Sequence, residues 1–152
     1  FAQDVLAYCL LPNHFHLLVR QKSKDGIDRF MSSLATRYTM YFNKRHQRTG
    51  TLYQATYRAI LVNEEPYLLY LSKYIHRNPL DIFSDLTSAY SSYADYLGLR
   101  HTSWIKPEFI LSFFNQATLP IAKKLNTYQL FVEDSSQDTS QLLDELTLET
   151  NI

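Results

Sequence analysis

The chain has 152 residues and a formal net charge of zero at pH 7, enough material for one domain with a substantial core. Its single cysteine excludes a disulfide scaffold, and Cys9, inside the apolar run 5–11, is expected to be a buried reduced thiol. There is no signal-peptide pattern and no apolar run long enough to span a membrane, so a cytosolic protein is expected.

Residues 5–11 are apolar and stop at Pro12-Asn13, a turn signal. Residues 14–21 follow as a second strand, giving an antiparallel hairpin. Residues 22–26 read as a polar loop. Residues 27–44 show helical spacing, with Ile27, Phe30, Met31, Leu34, Tyr38, Tyr41 and Phe42 near one stripe. Residues 45–50 form a basic loop. Residues 51–62, rich in β-branched and aromatic side chains, are predicted to be a strand. Asn63 is a candidate N-cap for a helix over 64–77, which stops before Pro79. A polar connection with Tyr90, Tyr93 and Tyr96 comes next, then a short helix over 106–114. Residues 115–134 are weakly patterned. Residues 135–152 form an acidic tail, expected to be mobile or to dock on a partner, with one amphipathic piece at 142–148. The organisation expected is a domain over 1–114, an extension over 115–134 and the tail. Strand-strand-helix-strand-helix is an incomplete sheet, so a further strand and helix are expected before Phe1.

His14 and His16 flank Phe15 on the second strand. Alternate strand residues share a face, so both imidazoles point one way, and two imidazoles one residue apart can hold one metal ion. A bare His-x-His pair is also compatible with hydrogen-bonded cleft histidines. A third ligand has to come from elsewhere, and with no cysteine chemistry a structural zinc site is not expected. On the second helix Tyr70, Tyr74 and Asn78 are spaced by four and share a face. A phenol one turn from a carboxamide offers a nucleophile beside a metal ligand. Tyr74 would need activation, with Lys73, His76 and Arg77 as local candidates for charge support. Core packing is the alternative for these tyrosines, and the expected one for Tyr67.

Charge is unevenly distributed. Residues 29–63 lack any acidic side chain but hold Arg29, Arg37, Lys44, Arg45, His46, Arg48 and Arg58. After Phe131 there is no basic residue. A basic body with an acidic tail suits a polyanion-binding domain, although solvated faces of an ordinary domain give the same pattern. The 12 tyrosines add stacking surface for unpaired bases, or amphipathic residues for the edge of a core.

The segment Tyr8-Cys9-Leu10-Leu11-Pro12-Asn13-His14-Phe15-His16-Leu17-Leu18-Val19 resembles the signature of single-tyrosine HUH transposases, where U is a bulky apolar residue. Arg48-Thr49-Gly50-Thr51-Leu52-Tyr53, Tyr57-Arg58 and Tyr74-Ile75-His76-Arg77-Asn78-Pro79 look like the REP-associated tyrosine transposases within that superfamily. Similarity continues more weakly through Ser91-Ser92-Tyr93-Ala94-Asp95-Tyr96-Leu97-Gly98 to about residue 114. The resemblance implies an α+β, ferredoxin-like domain: a four-stranded antiparallel sheet with helices on one face, whose first strand and helix precede Phe1. It implies Tyr74 as nucleophile, with His14, His16 and Asn78 as ligands of Mg²⁺ or Mn²⁺. The implied activity is cleavage and rejoining of single-stranded DNA near a hairpin through a 5′-phosphotyrosine, in a bacterial, nucleoid-associated monomer or homodimer. Arg37, Lys44, Arg45, Arg48, Arg58 and Arg77 are the candidate phosphate contacts, and Tyr53 and Tyr57 the candidate base-stacking residues. An inactive or domesticated hairpin-binding protein and a water-using phosphodiesterase are the alternatives.

Overall fold

A computed structural model describes residues 3–115 and 127–135. The chain divides into two compact units: Gln3 with Gln21–Ala59, and Asp4–Arg20 with the described residues from Ile60 onward. The acidic tail, from residue 136 on, lies outside the described residues, as does its amphipathic piece.

The first unit is built on helix α1, Gly26–Arg45. Its apolar stripe is only partly covered. Met31 is buried, whereas Leu34, Tyr38 and Tyr41 are 37%, 45% and 60% exposed. The helix stops on Gln47, whose φ of 49° turns the chain back. There the Arg48 N–H donates to Asn43 O at 3.0 Å, which satisfies a carbonyl of the last turn. The basic loop is tied down locally. Asn43 Nδ2 donates to Gly50 O at 2.8 Å, Arg48 Nη2 donates to Thr51 O at 3.2 Å, and the Arg48 guanidinium lies 5.7 Å from the Phe42 ring centre.

The strand predicted over 51–62 does not form; the segment is irregular and mostly exposed. A strand exists only with a neighbour to take its backbone hydrogen bonds, and among the described residues this segment pairs with none. β-Propensity supplied the side chains for a strand without a ladder.

The second unit holds all but the end residues Gln3 and Gln21 of a two-stranded sheet, β1 (Gln3–Leu10) and β2 (Phe15–Gln21). The two strands pair antiparallel through the expected hairpin. Leu11 N–H donates to His14 O at 2.9 Å, closing the Pro12-Asn13 turn. At the far end, Arg20 Nη2 meets Asp4 Oδ2 at 2.5 Å and the guanidinium stacks 4.4 Å from the Phe109 ring centre. The outer edge of β1 is occupied by irregular chain rather than a strand. Leu10 N–H donates to Tyr90 O, Ser92 N–H to Tyr8 O and Lys106 N–H to Val5 O, at 2.8 to 3.0 Å. This leaves β1 buried on both faces, with Val5, Leu6, Ala7 and Cys9 in the core. Burial pushes the Cys9 thiol up to about 11, as befits an inert packed sulfur.

Helix α2, Glu65–Arg77, begins one residue later than predicted. Its N-cap is Glu64 in place of Asn63, and Pro66 lies in the first turn. A 3₁₀ turn, Asn78–Asp81, follows. Tyr93 and Tyr96, expected in a polar connection, lie in the short helix α3 (Tyr93–Tyr96) and are 1% and 5% exposed. Helix α4 is Glu108–Asn115. Helix α5, Tyr128–Glu133, emerges where no element was predicted. Thr127 caps it by accepting the Leu130 N–H at 3.2 Å. Its Tyr128, Phe131 and Val132 join the core with Leu6, Leu18, Leu69, Ile75, Ile110 and Phe114. Each such full burial contributes about 1.5–3 kcal/mol.

Candidate active site

Two elements of the second unit, the hairpin and α2, supply the candidate residues. His14 is the first residue after the turn and is exposed; His16, one pleat further, is half-buried. Strand alternation puts both rings on one face, and their centres are 4.9 Å apart at 87°. His14 Nδ1 donates to Asn13 Oδ1 at 2.7 Å. In a neutral ring such a bond leaves Nε2 as the lone-pair nitrogen, the one able to ligate a metal.

The half-buried Tyr74 points from α2 toward the same face. Its ring meets His16 edge-on, with centres 5.6 Å apart. Asn78 caps α2 one turn further on, its N–H donating to Tyr74 O. The structure therefore brings His14, His16 and Tyr74 together and sets Asn78 one turn from the tyrosine. Tyr70, on the same helical stripe, is half-buried and packs its ring 5.7 Å from Phe131, against the core.

The candidates for charge support of Tyr74 are engaged elsewhere. His76 is fully buried, and burial pushes its ring down to about 3 against the opposing pull of Asp95, so it is neutral. Its Nδ1 lies 2.7 Å from Tyr128 Oη and its Nε2 lies 2.7 Å from Ser92 Oγ. Lys73 is 1% exposed, and its Nζ donates to Asp134 O at 2.7 Å. Arg77 Nη1 donates to Val132 O at 2.8 Å. Spacing on α2 alone could not reveal these attachments, because the partners are up to 61 residues distant. The one available signal was the i, i+3, i+4 apolar pattern Tyr128, Phe131, Val132.

Candidate DNA contacts other than Arg77 belong to the first unit. Arg37, Lys44, Arg45, Arg48 and Arg58 are exposed. Tyr53 is 38% exposed, with its ring centre 6.5 Å from that of Tyr38. Tyr57 donates its hydroxyl hydrogen bond to Asp28, an acceptor that raises the phenol's pKa.

Among the described residues no three His, Cys, Asp or Glu side chains gather as a metal cluster. What the hairpin does bring together is two imidazoles, nitrogen donors of a kind that divalent transition-metal ions accept.

The fold is α+β, with an open antiparallel pair of strands and a histidine pair beside a helical tyrosine. The family model described as "Transposase IS200 like" matches residues 1–78, half of the chain, and the protein belongs to that family. The match spans His14, His16, Tyr74 and Asn78. No curated protein and no solved structure matches the chain. Family membership carries a transposase-like role and DNA binding in general terms.

Proposed function

We propose that the protein is a single-strand DNA transferase of the REP-associated kind, with an HUH site on a ferredoxin-like framework and Tyr74 as nucleophile. The observation that carries this reading is the edge contact of Tyr74 with His16, itself paired with His14, within the family-matched stretch. His14, His16 and Asn78 are the residues that would hold Mg²⁺ or Mn²⁺. Such an ion, when bound, supplies Lewis-acid polarisation of the scissile phosphate.

Tyr74 Oη attacks phosphorus in line, and the bond from phosphorus to the 3′ oxygen breaks. The phenolic proton leaves to solvent and the departing 3′ oxygen takes one up. The products are a 5′-phosphotyrosine on Tyr74 and a free 3′-hydroxyl. One phosphodiester has been exchanged for another, so a 3′-hydroxyl can reverse the step and join strands without an added energy source. Arg37, Lys44, Arg45, Arg48, Arg58 and Arg77 supply phosphate contacts, and Tyr53 and Tyr57 supply base contacts, to single-stranded DNA flanking a hairpin.

Labelled hairpin DNA with a single-stranded flank, incubated with Mn²⁺ and run on a denaturing gel, tests the reading. A covalent adduct is expected, absent in Tyr74→Phe and in His16→Ala, while both variants still bind the DNA. Cleavage without an adduct makes the protein a hydrolase. Binding without cleavage makes it a hairpin-binding protein.

A further inference from the structure

The family match ends at residue 78, yet the helix carrying Tyr74 is held by residues far beyond it. Around Tyr74, three side chains of α2 reach helix α5 or the residue that ends it. Lys73 Nζ donates to Asp134 O at 2.7 Å, His76 Nδ1 lies 2.7 Å from Tyr128 Oη, and Arg77 Nη1 donates to Val132 O at 2.8 Å. These side chains sit one residue before, two after and three after Tyr74.

The bond through His76 belongs to a longer buried chain with one consistent direction. Tyr128 donates to Ser72 Oγ at 3.0 Å, and Ser72 donates to Leu69 O at 2.7 Å. Tyr128 Oη must therefore accept from His76 Nδ1–H. That leaves His76 Nε2 to accept from Ser92 Oγ, and Ser92 Oγ accepts the Tyr8 N–H at 2.9 Å. The Ser92 hydroxyl also lies 3.4 Å from Tyr8 O, a second and longer acceptor than His76 Nε2. The chain starts on β1, the partner strand of the histidine hairpin, crosses the tyrosine helix through its axial neighbour His76, and ends on α5. A neutral imidazole, one N–H and one lone pair, is the form that fits.

We propose that α5 is a positioning clamp for the nucleophile, with His76 and Tyr128 as the pin that sets the rotation of α2 about its own axis. The inference rests on Tyr74 being the nucleophile. A helix packed only by apolar contacts can slip or rotate slightly at little cost, whereas a buried, fully paired polar chain has one setting. In that setting the Tyr74 ring lies against His16. Displacements of about 1 Å at a reacting group cost on the order of 100-fold in rate, so a pin of this kind has catalytic weight without touching DNA. His76 and Tyr128 are positioning residues.

The test uses the full chain with Tyr128→Phe, which removes the hydroxyl and keeps the ring packed beside Tyr96 and Phe114. Adduct formation is measured at saturating hairpin DNA with Mn²⁺, hairpin affinity is measured separately, and the nuclear Overhauser contact between the Tyr74 and His16 rings is recorded without DNA. The clamp predicts adduct formation slowed tenfold or more, unchanged affinity and a lost or weakened ring contact. His76→Gln, which keeps one donor and one acceptor, should recover most of the rate. An unaltered rate and ring contact in Tyr128→Phe overturns the proposal, as does a rate loss matched by an equal loss of affinity. If the unmodified protein forms no adduct, the nucleophile reading fails and the ring contact alone decides whether α5 positions Tyr74. If Tyr128→Phe does not fold, Lys73→Met, which removes the bond to Asp134 and keeps an unbranched side chain of similar length, decides in the same way.

Discussion

His76 stands between three tyrosine rings, those of Tyr93, Tyr96 and Tyr128, with Asp95 the one carboxylate acting on it among the described residues. Its imidazole titrates near 6.5 in an unfolded chain and at about 3 in the folded one. Between these values the unfolded state binds the extra proton. Folding stability is then fully present above pH 6.5 and falls as the pH drops, by up to about 1.4 kcal/mol per pH unit from this group. Urea unfolding of the protein and of His76→Gln from pH 7 down to pH 4 should show the steeper acid loss in the unmodified chain. Equal slopes would mean the ring is not neutral in the core. The contrast with His14 and His16 is physical. Their shared face follows from a period of two within one strand, so neighbours in sequence disclose it. The burial of His76 is set by Ser92 and Tyr128, 16 and 52 residues away, and no local period reports that.

Among the elements, α1 and α2 were legible because their apolar spacing and terminal signals are local. The strand over 51–62 was misread because propensity says nothing about whether a neighbouring strand exists. Helix α5 was missed because its six residues are too few for periodicity to stand out. The C-terminus of α1 offers a test of local geometry. Gln47 holds a φ of 49°, a conformation that costs a side-chain-bearing residue about 1 kcal/mol and glycine almost nothing. Gln47→Gly should raise stability by about 0.5–1 kcal/mol, read as a higher denaturant midpoint at unchanged slope. A lower midpoint would show that the Gln47 side chain contributes more than its backbone strain costs.

At the scale of the whole molecule, zero net charge conceals a division of labour. Most candidate phosphate contacts belong to the first unit, and the histidine pair and Tyr74 belong to the second. Arg45→Ala combined with Arg48→Ala should weaken binding to every DNA sequence alike. It should also reduce the slope of log affinity against log salt by about 1.5, the share of two phosphate contacts. An unchanged slope would remove the basic loop from the DNA interface. The charge window could be read directly because charge is a property of composition. The division into two units could not, because it depends on which segments find partners.

The irregular chain along the outer edge of β1 has a consequence for how the protein is made. β1 and β2 leave the ribosome before residues 90 to 106, which supply the bonds that close the strand's other side, and the Tyr96 hydroxyl reaches back 90 residues to Leu6 O. Until that length has been synthesised, β1 presents a row of bare backbone donors and acceptors on a strand apolar on both faces, an invitation to pair with another nascent chain. Completion of the sheet is therefore a late, long-range event, and the interval before it is when the growing polypeptide is most exposed to aggregation or to capture by a chaperone.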